Sequence, residues 1–310
     1  MSKKYTFINT TLRSIDEVDF NNYDCIFYGD SVDERGNNLN QFIENVSHLK
    51  KFKVSQDSSN LSIITNGENI DKKRLSENLI SYNAIIIDST TLGLAEIIFI
   101  ILSVQIAKKK SISFLYAEPK LYKRSVDLNS SSLVTFELTH NCVFQGIKGI
   151  TLQYDSGDKA CHIFMLGFEP GRLQNAIEQR NDIEEDYYEK YFVIGVPAFQ
   201  HGWEKDTLYP HLSILDELNI HENKIVYTQA NSIYSSYVSL WELYEKLGNE
   251  DKIFFVSPLG TKPHSIGAAL FLAETRGLDN PTSIFYDHPI RNNKRSEAIN
   301  QLHLTEITFN

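Results

Sequence analysis

Residues 252–263, KIFFVSPLGTKP, join a run of apolar, strand-forming residues to a glycine turn and the start of a helix. The apolar run favours a buried strand, and Gly260 followed by Pro263 is typical of a turn into a helix. Small and apolar residues follow at 264–271, and a second apolar run begins at Ser283. This order of strand, loop, helix and strand indicates a βαβ unit, and hence a parallel sheet.

The same plan occurs once more, earlier in the chain. Residues 84–93, AIIIDSTTLG, precede an apolar helical segment and the strand-like run 112–116. Both copies carry a Leu-Gly pair after the first strand, at Leu92 and Leu259, and both second strands end in Tyr-x-x-Pro. The repeat predicts an α/β protein with two Rossmann-like halves and mainly parallel sheets. Chance similarity between two βαβ units is the alternative.

Hydrophobic periodicity extends this prediction along the whole chain. The first half has predicted strands at 5–9, 25–29, 61–65, 84–88 and 112–116, and helices near 36–50, 72–81 and 93–108. The second half has predicted strands at 191–196, 224–228, 252–257 and 283–286, and a helix over 232–247 whose aromatic stripe faces the core. Between the halves, the runs 133–139, 149–154 and 160–166 predict a small β-meander.

A polar stretch at 126–132 is interpreted as a linker. It divides the chain into an N-terminal Rossmann-like domain, residues 1–125, and a C-terminal Rossmann-like domain, residues 133–310, which begins with the meander. With 310 residues and 42% hydrophobic content, each half is long enough to bury its own core.

Charge and cysteine content exclude several classes of function. The chain has 30 Lys and Arg against 40 Asp and Glu, a net charge of −10, which disfavours broad binding to nucleic acids. Its three cysteines form no Cys-x-x-Cys pair, so neither disulfides nor a metal site is predicted, and no cofactor motif is present. The most apolar segment, 92–107, is too short to span a bilayer. With no signal-peptide pattern at the N-terminus, we expect a cytoplasmic protein that does not bind membranes.

The loop after strand 252–257 is a candidate anion site. Ligands of open parallel sheets bind beyond the carboxyl ends of the strands, where helix N-termini favour anions. Ser257 ends the strand, Gly260 permits close approach of the backbone, Thr261 offers a hydroxyl and Lys262 a positive charge. The spacing matches neither a Walker A loop nor a Gly-x-Gly-x-x-Gly fingerprint. The alternative is a helix cap with its lysine in solvent.

Two further loops carry candidate ligand-binding residues. The first copy of the repeat places a carboxylate and three hydroxyls at a strand end, and these suit a ribose or a phosphate, or simply cap the helix. They are Asp88, Ser89, Thr90 and Thr91.

A third junction, after 160–166, puts Glu169 and Arg172 near a helix start, where the guanidinium suits a phosphate or else an intrahelical partner. In the loop 197–204, His201 and Trp203 either stack on a base or pack within the loop.

The Asp-x-Thr of residues 88–90 and the Gly-Thr-Lys of residues 260–262, each between a strand and a helix, resemble the CRISPR-associated Rossmann-fold (CARF) sensors of prokaryotic antiviral systems. The resemblance covers these two loops and their flanking elements. It implies binding of cyclic oligoadenylates, commonly across a homodimer, with both loops facing the ligand. The chain carries Pro258-Leu259-Gly260 where a Gly-Gly pair before the Thr-Lys is usual.

Three functions follow from these features. The preferred one is a sensor that binds a phosphorylated small molecule of nucleotide type. The second is an enzyme, either a nucleotide phosphodiesterase in which Ser89, Thr91 and Lys262 position an attacking hydroxyl, as the CARF resemblance allows, or an SGNH-type hydrolase. The third is a non-catalytic subunit that binds only protein.

The hypothesis of an SGNH-type hydrolase depends on Ser31 as the nucleophile, because Gly29-Asp30-Ser31 resembles the Gly-Asp-Ser block of those esterases. The family also needs an Asp-x-x-His near the C-terminus. Here Asp287 and His288 are adjacent instead.

Overall fold

The computed structural model describes residues 5–57, 59–126, 134–141, 144–155, 157–180, 183–247, 252–278 and 281–310. It is a mixed α/β structure with two compact units. Unit 1 comprises Met1–Lys123 and Asn292–Asn310, and unit 2 comprises Arg124–Arg291. The C-terminal segment therefore belongs to the first unit, whereas the sequence analysis placed it in a domain of residues 133–310. Most of the predicted linker, 127–132, lies outside the described residues.

Unit 1 contains eight of the described strands and three of the described α-helices. They are β1 (Tyr5–Leu12), β2 (Cys25–Tyr28), α1 (Glu34–Asn45), β3 (Lys50–Gln56), β4 (Ile63–Thr65), β5 (Glu68–Asn69), α2 (Lys72–Leu79), β6 (Ile85–Asp88), α3 (Leu94–Ile106), β7 (Ser111–Tyr122) and β17 (Ser296–Phe309).

The sheet of unit 1 has the strand order β1-β17-β7-β6-β2-β3-β4-β5. Its centre, β3-β2-β6-β7, is parallel, while β1, β17, β4 and β5 pair antiparallel. The expectation of a mainly parallel sheet is wrong for this unit, because β17 returns beside β7 and β4 turns back on β3. One core cluster fills the face under α1, with Ile26, Leu39 and Leu302 fully buried.

Unit 2 contains the remaining described elements. They are β8 (Arg124–Val126), β9 (Val134–Phe136), β10 (Thr139–Asn141), β11 (Ala160–Met165), α4 (Pro170–Glu178), β12 (Tyr188–Gly195), α5 (Trp203–Glu217), β13 (Ile225–Thr228), α6 (Ile233–Leu247), β14 (Ile253–Pro258), α7 (Lys262–Thr275), β15 (Thr282–Ile284) and β16 (Ile290–Arg291).

The main sheet of unit 2 is parallel throughout, in the order β13-β12-β11-β14-β15. Every residue of β11 and of β14 is buried, as expected for inner strands covered on both faces by helices. The aromatic stripe of α6 packs into this core as predicted. Trp241 lies edge-on to Phe271 at 5.4 Å between ring centroids, and Tyr244 lies edge-on to Phe254 at 5.6 Å.

The predicted meander is not formed. Residues 149–154 contain no strand, and 160–165 form the central strand β11 of the parallel sheet. In place of a meander, β9 pairs with β8, and β10 pairs with β16. Apolar runs predicted strands at 133–139 and 160–166, where β9 and β11 lie, but they could not show which partners these strands take, because strand pairing depends on residues far away in the chain.

Within the described ranges, no helix combines the length and the apolar character that a membrane crossing requires.

Candidate functional site

The candidate site lies where the strand order of unit 2 reverses. From β11 the chain passes through α4 to β12 on one side, and from β14 it passes through α7 to β15 on the other. The carboxyl ends of β11 and β14 are neighbours, paired at Met165 and Pro258. In open parallel sheets this reversal leaves a crevice between two strand-end loops, and ligands bind there.

Two glycines bring the strand-end loops into direct backbone contact. A Cβ atom on Gly167 would overlap the carbonyl oxygen of Leu259, and one on Gly260 would lie 2.5 Å from the carbonyl oxygen of Leu166. Any larger residue at either position would force the loops apart. The two glycines, one from each strand-end loop, therefore form one close crossing at the centre of the candidate site.

The loop between β14 and α7, residues 259–261, leads into the N-terminus of α7 and is called the second loop below. Thr261 caps this helix, because its Oγ1 accepts a hydrogen bond from His264 N at 3.4 Å, and the same hydroxyl donates to Ala230 O at 2.6 Å. Lys262 begins the helix and is half-buried, and Pro263 follows in the first turn. The backbone N–H groups of a first helical turn lack intrahelical acceptors, so this end of α7 favours an anion.

His264 lies beneath this loop and is fully buried. Its Nε2 donates to Gln229 O at 3.2 Å, so the proton of the neutral ring is on Nε2. Nδ1 has no hydrogen-bond partner among the described residues, and it lies 3.2 Å from the position of a Cβ on Gly260. Burial lowers the pKa of His264 to about 4, against a weaker raising effect of the bond to Gln229. At neutral pH, His264 Nδ1 is thus a buried hydrogen-bond acceptor without a partner among the described residues.

Arg172 spans the two loops from the first turn of α4. Its Nε and Nη2 donate to Asp287 Oδ2 and Oδ1 at 2.5 and 2.8 Å, and its Nη1 donates to Leu259 O at 2.9 Å. Burial acts to lower the pKa of Arg172, but the charge and hydrogen bonds of Asp287 outweigh it and raise that pKa. The guanidinium is therefore engaged in a bidentate ion pair that holds the second loop in place.

Glu169 and Ser257 both have structural partners. Glu169 Oε1 accepts hydrogen bonds from the backbone of Leu138 and from the N–H and hydroxyl of Thr139, at 2.9 to 3.0 Å. Ser257 is fully buried and donates to Phe285 O at 2.7 Å. Both predicted ligand-binding side chains therefore have hydrogen-bond partners within the protein.

The hydroxyl of Ser257 belongs to a relay inside the sheet. His162 Nε2 lies 2.6 Å from Ser257 Oγ, and His162 Nδ1 lies 2.5 Å from the Tyr188 hydroxyl. Burial, and then the positive charges of Arg180 and Lys190, keep the pKa of His162 well below its usual value. The ring is neutral, so Nε2 donates to Ser257 while Nδ1 accepts from Tyr188.

The first copy of the repeat belongs to unit 1 and closes on that unit. Asp88 accepts hydrogen bonds from Thr90 N and from the Thr91 hydroxyl, and Thr91 Oγ1 also accepts from Gly29 N. The hydroxyls of Ser89 and Thr90 bond to the backbone of β7. All four predicted residues are buried, at 0 to 6% exposure. The two loops of the repeat follow strands of different sheets. The hydrogen bonds of residues 88–91 are typical of a capped turn at a strand end.

Two of the remaining sequence candidates have contacts within unit 2. Trp203 is buried at the start of α5 and lies edge-on to Phe168. Asp287, which the hydrolase reading needs for His288, is the partner of Arg172. The described part of the chain holds no group of three or more His, Cys, Asp or Glu residues suited to a metal ion, and Cys142 lies outside it.

No protein-family model matches this chain, and a search of the curated proteins finds no match.

A cleft of about 340 Å³ opens beside the candidate site, at the carboxyl ends of β12 and β13. Its lining residues are Val196, Pro197, Tyr227, Thr228, Gln229, Tyr234, Ser235, Val238 and Ser239. The sequence patterns described above did not indicate this cleft. The strand 224–228 was predicted, and the rule that ligands bind beyond strand ends could have indicated the residues that follow it.

Proposed function

We propose that unit 2 is a Rossmann-like domain that binds a phosphorylated small molecule of nucleotide type, and that the protein acts as a cytoplasmic sensor. The observation that carries this proposal is the crossing of Gly167 and Gly260 at the point where the parallel strand order reverses. The order β13-β12-β11-β14-β15 corresponds to 3-2-1-4-5 in the chain order of these strands. Nucleotide-binding sheets use this arrangement, with their ligands at the reversal.

The phosphate is proposed to bind at the N-terminus of α7. Gly260 allows the loop that leads into this helix to pass close to Leu166, and Lys262 adds a positive charge to the helix end. A local cation is necessary because the chain as a whole carries a net charge of −10. Arg172 acts indirectly, since its bond to Leu259 O fixes the loop.

Sensing is favoured over turnover because the hydroxyl side chains predicted to position an attacking group are already engaged. The hydroxyl of Ser89 donates to the carbonyl of Leu115, and that of Thr91 donates to Asp88. Each of these residues is at least nine-tenths buried. A phosphodiesterase would need one of these hydroxyls to face the ligand.

The resemblance to CARF sensors extends the proposal to antiviral defence and to a ligand shared by two copies. Of the two loops that carry the resemblance, 88–90 is buried and hydrogen-bonded within unit 1, and 260–262 contains the cationic residue Lys262. Light scattering with and without cyclic oligoadenylates tests this extension, and it is expected to report a dimer.

The proposal predicts that Lys262→Ala weakens phosphate binding. A charge-assisted hydrogen bond contributes about 1.5 to 3 kcal/mol, so affinity should fall roughly 10- to 100-fold. Thermal-shift and calorimetric titrations with inorganic phosphate, mononucleotides, ADP-ribose, NAD and cyclic oligoadenylates measure the loss. A ligand that binds only the folded protein raises the unfolding temperature with concentration.

The matched control is Lys246→Ala, which removes an exposed lysine from the last turn of α6. This variant should bind as the unaltered chain does. The proposal fails if none of these anions stabilises the protein, or if the two lysine variants bind equally well.

A further inference from the structure

The cleft beside the candidate site has an uncharged lining, which contrasts with the loop next to it. None of its nine lining residues is Asp, Glu, Lys, Arg or His. Two tyrosines, two valines and a proline provide flat apolar surface, and the others provide hydroxyl and amide groups. Its volume of about 340 Å³ is at the lower end of the range for small-molecule sites, which suits one part of a ligand.

One side chain in the cleft has an unmet hydrogen-bonding requirement. Thr228 is 4% exposed, and its Oγ1 has no partner among the described residues. Buried hydroxyls in folded proteins nearly always have a partner, so the unpaired hydroxyl of a residue that lines a cleft is a candidate partner for a polar group of a ligand. At the rim, the Tyr227 side chain is 61% exposed, a large exposure for an aromatic ring.

Residues 228–230 lie between the cleft and the loop that leads into α7, and they contact both. Thr228 lines the cleft, while the next two residues accept hydrogen bonds from the second loop and its helix. His264 Nε2 donates to Gln229 O, and Thr261 Oγ1 donates to Ala230 O. A single ligand can therefore contact the cleft with one end and the N-terminus of α7 with the other.

We infer that this cleft binds the uncharged heteroaromatic ring of the ligand, a nucleobase, with the ring against Tyr227 and its polar edge at Thr228 and Gln229. The inference rests on the proposed function, because the phosphate of the same molecule binds at Lys262. A tyrosine ring stacks on any base, whereas a hydroxyl and an amide pair with the donors and acceptors at the base edge. The lining without charge favours a neutral ring over a second phosphate.

The test compares ligands that differ only in the base. Calorimetric titrations use ribose 5-phosphate, the four nucleoside 5′-monophosphates, AMP, GMP, CMP and UMP, and the four corresponding nucleosides, with the full chain. At least one monophosphate should bind tenfold or more tightly than ribose 5-phosphate. Thr228→Val, which keeps the side-chain shape but removes the hydroxyl, should weaken that monophosphate about fivefold. Tyr227→Ala should weaken it about tenfold. Neither variant should change the affinity for ribose 5-phosphate.

Tyr209→Ala is the control, because Tyr209 is an exposed tyrosine of α5 that does not line the cleft. It should leave every titration unchanged, and circular dichroism verifies that all three variants fold. Ribose 5-phosphate binding as tightly as every monophosphate overturns the base site while the proposed function stands. Nucleosides binding as tightly as their monophosphates, with no effect of Lys262→Ala, support the cleft but overturn the proposed function. Binding of none of these compounds overturns both.

Discussion

Several imidazoles in unit 2 are held in the neutral form by burial. His162 and His264 are fully buried and His211 is 1% exposed, and burial lowers the pKa of each below the ordinary value. An unfolded chain binds protons at these residues below about pH 6.5. The folded chain does not take up the proton on His264 until the pH approaches 4. Acidification between these values therefore favours the unfolded state.

The contribution of these histidines to the free energy of unfolding is accordingly predicted to be constant above about pH 7 and to decrease from pH 6.5 towards pH 4. His264 alone should account for about 3 kcal/mol of this decrease. His264→Gln keeps a donor for Gln229 O and should reduce the slope. Urea denaturation at a series of pH values measures it.

His221→Gln is the control for this measurement, because His221 is exposed. It should retain the slope of the unaltered chain. A slope that is the same in both variants would contradict a neutral, buried His264.

At the scale of elements, the crossing of the two strand-end loops depends on the absence of side chains. Gly167→Ala would drive a methyl group into Leu259 O, and the loops would have to separate. We expect a loss of about 1 to 3 kcal/mol in the free energy of unfolding, together with weaker anion binding. Urea denaturation and phosphate titration measure the two effects.

Gly171→Ala is the matched control, because a Cβ at Gly171 meets no atom within 4 Å and the residue is helical, in α4. Alanine favours the helix over glycine by up to about 1 kcal/mol, so this variant should be as stable as the unaltered chain or more so. Equal losses in the two variants would contradict the close crossing.

Local sequence patterns predicted many of the elements but not the contacts that make the site. The helices over 72–81, 93–108 and 232–247 were predicted from periodicity, and the structure has α2, α3 and α6 there. The Arg172–Asp287 pair joins residues 115 positions apart, and neither residue carries a local pattern that names the other. The burial of residues 88–91 could not be predicted from the sequence either, because a helix cap and a ligand site use the same polar residues at a strand end.

At the scale of the whole molecule, the sequence did not predict the return of the chain to the first sheet. β17 alternates polar and apolar residues as strands do, but its neighbours are β1 and β7, and the pairing of Tyr5 with Phe309 joins residues 304 positions apart. Chain order placed these residues in the second domain, and only the long-range pairing assigns them to unit 1.

Leu302→Asp is therefore predicted to unfold unit 1 and to leave unit 2 folded. Leu302 is fully buried in the core that includes Ile26 and Leu115, and an unpaired carboxylate there would be strongly destabilising. Hydrogen exchange should show loss of protection in β2, β6 and β7, with protection retained in β11 and β14.

Thr308→Asp is the comparison, since Thr308 is exposed on the same strand and should tolerate the charge. Loss of protection in β11 after Leu302→Asp would contradict the assignment of residues 292–310 to unit 1.

The return of β17 also orders events during synthesis. A ribosome releases residues 124–291 before 292–310, so unit 2 has all of its strands while the sheet of unit 1 is still incomplete. Among the described strands, β1 has β17 as its neighbour, and β17 in turn adjoins β7. The earliest described strand of the nascent chain must therefore wait for the latest one, and the inserted unit is the first that can finish folding.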